Sequence, residues 1–234
     1  MNDRIAAIVL SVSDYKDNDS ILRVLSREHG VLSLVARSSR KITSKNRFLP
    51  LCLYEFLFDF REGKTIFTLH NGKLLEDFYI DNDIEELAYR NIFPDVCLKF
   101  SDLADAEYYD ALLQTLRHMK KEEKFLSGAL FFAFLSRDYG VAPMVDGCAV
   151  CGKKQVVALS NRHGGFLCSD HLYGEEPADI LTLKKFRLLN KASFEHFPIL
   201  LKYDYDRRDF FLMADFFFAN ADIRLKSYEF YRSL

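Results

Sequence analysis

Four residues in the second half of the chain have types and spacing that suit a metal ion: Cys148, Cys151, Cys168 and His171. They form two pairs, each with two residues between its members, and a Cys-x-x-Cys turn lets two sulfurs bind one ion. Two such pairs complete a tetrahedron, the geometry that zinc adopts with thiolate and imidazole ligands. The spacing therefore predicts a zinc ribbon or knuckle, which we place within residues 145–174 and call the zinc module.

The fourth ligand is the open point of this prediction. His171 has the right spacing, but His163 and Asp170 are close in sequence and compete with it. With four protein ligands the site is closed, and the metal is then structural rather than catalytic. If His171 is not a ligand, an open position can hold water, and a zinc hydrolase becomes the alternative. Three unpaired buried cysteines are the non-metal alternative, whereas disulfides do not suit a reducing cytoplasm.

A second chemical signal is a run of positive charge at residues 37–47. It contains no acidic residue and carries Arg37, Arg40, Lys41, Lys45 and Arg47. Basic side chains mixed with Ser, Thr and Asn can contact phosphates without reading base sequence, so these five residues are the candidate nucleic-acid contacts. The formal net charge is only −2, so any basic field must be local. A solvated loop is the alternative, and the same choice applies to Lys184, Lys185 and Arg187.

The elements that position these residues change in type along the chain. Up to about residue 80, apolar residues alternate with a period of two, which predicts strands. The expected strands are Ile5–Val12, Ser20–Ser26, Val31–Arg37, Leu51–Phe60, Thr65–His70 and, after a turn at Asn71-Gly72, Leu74–Tyr79. Five or six short strands predict a small closed barrel, with the basic run as its long connection. Tyr54, Phe56, Phe58 and Phe60 are expected mostly in the barrel core, with base stacking as the alternative.

From residue 83 onward the periodicity is helical. The expected helices are Ile84–Phe93, ended or kinked near Pro94, then Asp105–Met119, Glu122–Tyr139, Thr182–Phe194, Asp209–Ile223 and Ser227–Arg232. The sequence thus predicts an α+β protein with a barrel domain at 1–80 and a helical domain at 81–234 that contains the zinc module.

Composition excludes several classes of protein. Hydrophobic residues make up 49% and charged residues 28%, as in globular proteins. The start of the chain has no signal-peptide pattern, and no apolar stretch is long enough to span a bilayer, so a cytoplasmic protein is expected. We find no phosphate-binding loop, His-Glu-x-x-His motif or nucleophile elbow, and expect no enzymatic activity.

Four segments resemble the RecO family of bacterial recombination mediators. Near the N-terminus, residues 25–37 read Leu-Ser-Arg-Glu-His-Gly followed by an apolar strand and Ala36-Arg37, with Ser38 where the family commonly has glycine. Residues 139–143, Tyr-Gly-Val-Ala-Pro, resemble the helix end before the family's zinc module, and residues 164–168 resemble its second knuckle. Residues 225–230 resemble its last turn.

The resemblance implies an N-terminal OB-fold, a helical domain and an inserted zinc module. It also implies binding of single- and double-stranded DNA, annealing of complementary strands, and work with RecR to load RecA onto DNA coated with SSB, in the cytoplasm at the nucleoid. The family usually has a fourth cysteine where this chain has His171, and some members lack the zinc ligands, which implies a structural and dispensable metal. A zinc-containing OB-fold adaptor that binds protein partners is the competing functional class.

Overall fold

A computed structural model describes residues 2–44, 47–78, 83–119 and 123–234. Its elements in chain order are β1 (Asn2–Tyr15), β2 (Asp19–Ser26), β3 (Gly30–Ala36), β4 (Cys52–Asp59), β5 (Ile66–Asp77), α1 (Ile84–Lys99), α2 (Ala106–Met119), α3 (Lys124–Asp138), β6 (Ala158–Ser160), β7 (Gly165–Leu167), α4 (Ile180–Lys191), α5 (Phe197–Leu200), α6 (Arg207–Ala221) and α7 (Lys226–Ser233). Short 3-10 turns lie at Ser101–Leu103, Ser169–His171 and Phe194–His196. The predicted change from strands to helices is confirmed.

The first five strands form a closed barrel in the order β1-β2-β3-β5-β4. All neighbouring strands are antiparallel except β3 and β5, which pair in parallel from Ser33–Ile66 to Ala36–Leu69. This OB-like arrangement confirms the predicted fold class. The alternating apolar residues fill the barrel, as with Leu22, Val24 and Leu34, which are fully buried.

The predicted turn at Asn71-Gly72 is wrong, because β5 continues through both residues. They pair instead with Leu57 and Phe56 of β4. Gly72 is needed for space rather than for a turn: a Cβ there would lie 2.5 Å from a ring carbon of Phe48. The predicted strand Leu74–Tyr79 is therefore not a separate strand, because its first residues form the end of β5. Tyr79 lies outside the described residues.

Of the two outcomes predicted at Pro94, a helix end or a kink, the helix end is wrong. The helix α1 runs on to Lys99, with Phe93, Val96 and Cys97 buried on both sides of the proline. Burial of these side chains outweighs the hydrogen bond that a proline removes from a helix. The start of α2 is as predicted, since the Asp105 carboxylate accepts a hydrogen bond from the Tyr108 amide.

The packing divides the chain into two compact units. The first consists of residues up to Leu116 together with Leu225–Leu234, and it contains the barrel, α1 and α7. In this unit, the ring centroids of Tyr89 in α1 and Tyr231 in α7 lie 5.2 Å apart. The second unit is Arg117–Arg224. Its core contains many of the phenylalanines: Phe132 packs against Phe210, Phe217 and Phe218 at centroid distances of 5.3–5.7 Å.

Candidate nucleic-acid interface and metal centre

The basic run forms the connection between β3 and β4, and its first half is fixed to the turn between β1 and β2. The Ser38 amide donates to the Asp19 carboxylate at 2.8 Å, and the Arg40 amide donates to the Asn18 carbonyl at 3.0 Å. Between them, the Ser39 hydroxyl donates to that of Ser20 at 2.9 Å, in a buried contact. The connection is therefore an anchored loop, and we call residues 37–47 the basic loop.

Ser38 adopts a left-handed conformation, with φ of +54°. This region of backbone space favours glycine, because other residues bring Cβ close to the carbonyl oxygen. The geometry explains why a glycine is suited to this position. In this chain the Asp19 carboxylate supports the strained turn through the Ser38 amide.

The cations of the basic loop differ in how available they are. Arg37 and Lys41 are exposed and form no ion pair with any described residue. Arg40 is held by the Asp14 carboxylate, with N–O 2.9 Å. Arg47 is exposed and donates to the Ile42 carbonyl at 3.4 Å. Lys45 lies outside the described residues.

The aromatic residues of β4 serve the barrel core. Tyr54, Phe56 and Phe58 are at most 5% exposed. Phe60 is partly buried, and its ring stacks on that of Phe67 at 5.3 Å. The expectation that most of these rings are core is confirmed, so base stacking on this strand is not available to Tyr54, Phe56 or Phe58.

The second basic group, on α4, consists of Lys184, Lys185 and Arg187. Its side chains contact other side chains of the protein. The Lys185 ammonium lies 2.8 Å from the Asp209 carboxylate; the Lys185 side chain is partly buried, at 13% exposed, and that of Asp209 is buried, at 7%. Arg187 pairs with Asp146 at 3.0 Å, and Lys184 lies over the Tyr203 ring. The structure thus supports the solvated or internal role of this group over a phosphate-binding one.

The structure brings the four residues of the predicted metal site together. The sulfur atoms of Cys148, Cys151 and Cys168 and a ring nitrogen of His171 all lie within 4.8 Å of one another. The Cys151–Cys168 sulfur distance is 3.8 Å, and His171 Nδ1 lies 3.7 Å from the Cys148 sulfur and 3.2 Å from the Cys168 sulfur. A tetrahedral zinc with ordinary bond lengths requires about 3.8 Å between sulfurs and about 3.6 Å between sulfur and nitrogen. The cluster can hold a metal ion of that size.

Local backbone geometry explains why the first cysteine pair forms a tight turn. The Gly152 amide donates to the Cys148 carbonyl at 2.8 Å, and the Cys148 amide donates to the Lys153 carbonyl at 2.9 Å. A Cβ at Gly147 would lie 2.7 Å from the Gly152 carbonyl oxygen, so only glycine fits. An antiparallel hairpin of β6 and β7 lies between the two ligand pairs.

The charge state of the Cys148 thiol is set by opposing effects. Burial disfavours its ionised form, but hydrogen bonds from the backbone at Cys168, Cys151 and Val150 outweigh this and lower its pKa to about 6. A thiolate is the form that binds a metal ion. The backbone therefore prepares the Cys148 thiol for a cation. At Cys151 a hydrogen bond at the Lys153 backbone is outweighed by desolvation and by the neighbouring Cys148 and Cys168 sulfurs, so the pKa of Cys151 is raised instead.

The competing candidate ligands are engaged elsewhere. His163 Nδ1 lies 3.0 Å from the Ser160 hydroxyl and 3.4 Å from a Glu175 carboxylate oxygen. Asp170 pairs with the Lys153 ammonium at 3.1 Å. These contacts leave His171 as the imidazole of the cluster.

Two partners of the basic loop were not found from sequence. Asp14, near the end of β1, and Asp19, at the start of β2, flank the turn between these strands. Asp14 holds Arg40, and Asp19 holds the Ser38 amide. Neither has a motif, because their roles depend on the pairing of β1, β2 and β3 rather than on local spacing. Within the described part of the chain, no helix is both long enough and apolar enough to cross a bilayer.

The fold and the site together define a protein with an OB-like barrel followed by helices that carry a Cys3His cluster. The family model for the N-terminal domain of recombination protein O matches residues 1–78, and the model for its C-terminal domain matches residues 83–197. The chain belongs to the RecO family.

Named relatives agree with this assignment. The chain is 27% identical over 180 residues to the DNA repair protein RecO of Bacillus mycoides (strain KBAB4), a match that covers 73% of this chain and 71% of the relative. The proteins of the same name from Bacillus cereus (strain B4264) and Bacillus anthracis (strain CDC 684 / NRRL 3495) match with the same identity and coverage. The predicted family is confirmed.

Proposed function

We propose that this protein is a non-enzymatic recombination mediator that binds single- and double-stranded DNA through the basic loop and anneals complementary strands. With RecR, it would help to load RecA onto DNA coated with SSB, in the cytoplasm at the nucleoid. The observation that carries the proposal is an anchored loop with exposed cations on an OB-like barrel, in a chain of the RecO family. Barrels of this kind commonly bind nucleic acids on their loops and strand faces.

The proposed mechanism is electrostatic. Arg37, Lys41 and Arg47 neutralise phosphates and release counterions, with Arg40 and Lys45 as further contacts. Two complementary strands repel each other, and annealing requires only that this repulsion is screened while the strands are held close. No side chain has to form or break a covalent bond, so the mechanism requires no catalytic residue.

The Cys3His cluster is proposed to hold a structural zinc ion through Cys148, Cys151, Cys168 and His171. The ion would supply a cross-link between the turn after Gly147 and the turn before Leu172. Four protein ligands leave no open position for a substrate or a reactive water. The division into domains at 1–80 and 81–234 is part of the same proposal, and it is supported by family matches that end at residue 78 and resume at residue 83.

Annealing of labelled complementary oligonucleotides tests the proposal. We expect a variant with all five basic-loop cations changed to Gln to fold normally and to anneal poorly. A matched control removes five exposed cations from the second compact unit, namely Arg162, Lys184, Lys202, Arg208 and Arg224. Equal loss in both variants would mean that only total charge matters, and full activity of the first variant would refute the role of the loop.

Metal analysis tests the zinc site separately. We expect one zinc ion per chain, and loss of the ion in His171→Ala together with unfolding at lower urea concentration. A variant that retains the metal and gains or loses a hydrolytic activity would instead indicate an open catalytic site. His163→Ala is the control, because His163 is bound to Ser160 and Glu175 and is not expected to affect metal content.

A further inference from the structure

Ile42 stands out on the surface of the basic loop. Its side chain is 92% exposed, more than any other large apolar side chain of the described residues. It is also the only apolar residue between Arg37 and Arg47. A single exposed isoleucine is ordinary on a protein surface. What distinguishes Ile42 from other exposed isoleucines is its position among cations, in an anchored loop.

The backbone on both sides of Ile42 is held in place. The Lys41 amide donates to the Ser38 carbonyl at 3.2 Å, and the Ser44 amide donates to the Lys41 carbonyl at 2.9 Å. The Arg47 guanidinium braces the Ile42 carbonyl at 3.4 Å. Residues 38–44 therefore present the side chain to solvent from hydrogen-bonded turns, and binding requires little further ordering of these residues.

The cations and the apolar side chain at Ile42 match the two kinds of surface on a nucleic-acid strand, its charged phosphates and the apolar faces of its bases. Lys41 precedes Ile42 directly, and Arg47 contacts its carbonyl, so cations that attract phosphates flank an apolar group. The bases of a single strand expose apolar faces when they unstack. In duplex DNA, apolar side chains such as Ile insert between base steps and unstack them. Unstacking costs least in a strand that is already single.

We infer that Ile42 is an apolar wedge that packs against the bases of bound single-stranded DNA while the neighbouring cations hold its phosphates. This inference rests on the proposed DNA binding and adds a contact that does not depend on charge. It assigns to the basic loop a hydrophobic share of the affinity, which salt does not screen.

Binding of a fluorescein-labelled single-stranded oligonucleotide, followed by anisotropy at several salt concentrations, tests the wedge. We expect Ile42→Ser to bind about tenfold more weakly, as for burial of part of an isoleucine side chain. The slope of log affinity against log salt should not change, because no ion pair is lost. The matched control is Ile180→Ser, which changes an isoleucine that is 86% exposed in the second compact unit and should bind like the wild type.

A spectroscopic arm uses the absence of tryptophan from the chain. Ile42→Trp introduces the sole indole, and stacking on bases should quench its fluorescence when the oligonucleotide is added, whereas Ile180→Trp should show no quenching. If the wild type shows no salt-dependent binding, the proposed function itself fails. If binding is salt-dependent but Ile42→Ser keeps wild-type affinity, the wedge is refuted and DNA binding stands. Quenching without that loss of affinity also refutes it, because it would show only that the loop lies near the strand.

Discussion

The salt dependence of the proposed DNA binding is the property that the structure predicts most directly. In the described part of the basic loop, Arg37, Lys41 and Arg47 are exposed and form no ion pair with a carboxylate, whereas Arg40 is held by Asp14. Each phosphate contact contributes about −0.7 to the slope of log affinity against log salt for a single strand. Changing the three free cations to Gln should therefore make the slope shallower by about 2. Between 50 and 200 mM salt, the wild type should lose about twentyfold more affinity than the variant.

Anisotropy titrations with an unstructured single strand at four or more salt concentrations give both slopes. Circular dichroism and urea unfolding of the triple variant serve as the folding control, and we expect them to be unchanged because the three side chains are exposed. An unchanged slope in a folded variant would refute the assignment of phosphate contacts to this loop. A change of the intercept alone would mean that these residues act on affinity without pairing with phosphates.

Three further perturbations follow from individual contacts. Asp14→Asn should release Arg40 for phosphate and tighten DNA binding by up to about fivefold, the value of an exposed ion pair, with a slope steeper by about 0.7; anisotropy measures both. Lys185→Met leaves the Asp209 carboxylate buried without its cation, and should lower the free energy of unfolding by about 3 kcal/mol in urea titrations. Glu175→Gln should destabilise the protein at neutral pH but progressively less in acid. Hydrogen bonds from Ser160 and then from the Tyr173 amide lower the pKa of Glu175 to about 2, so the stability from its charge is present above pH 4.5 and lost as pH falls toward 2.

Each of these perturbations has its own control. Asp17→Asn removes another exposed acid of the same turn that forms no ion pair with a described residue, and it should leave the behaviour of Arg40 unchanged. Lys184→Met changes the exposed neighbour of Lys185 and should cost less than about 0.5 kcal/mol. For Glu175, urea midpoints of wild type and variant should differ at pH 7 and converge toward pH 3; a constant difference would mean that its charge is not what stabilises the fold.

The local parts of this fold were accessible from sequence because their causes are local. Alternating apolar residues predicted the barrel strands, and Cys-x-x-Cys spacing predicted the cluster that the structure assembles. The wrong turn at Asn71-Gly72 and the helix end that does not occur at Pro94 concern residues whose roles depend on distant partners. Asn71-Gly72 has the composition of a hairpin turn, but Gly72 is small because the Phe48 ring packs against it. Pro94 is a helix breaker, yet α1 continues because the buried residues around it hold the helix in place.

The same distinction applies to charge. The cations can be counted from the sequence, but only the structure shows which of them pair with a carboxylate. Lys185 belongs to a basic cluster in sequence and is partly buried against Asp209, 24 residues away. Arg40 lies in the basic loop and is occupied by Asp14. No window of sequence contains the information that separates these two from Arg37 or Lys41, because it depends on the tertiary fold.

The mild acidity of the whole chain does not argue against DNA binding, but the local charge limits its strength. At 0.1 M salt, a phosphate at the loop senses mainly charges within about 10 Å. The described part of the basic loop and residues 14–19 together carry five cations (Lys16, Arg37, Arg40, Lys41 and Arg47) and three carboxylates (Asp14, Asp17 and Asp19). So small an excess gives a weak electrostatic hold that falls quickly as salt rises. A contact that salt does not screen would add to this hold, and the exposed Ile42 in the middle of the loop has the chemistry for it.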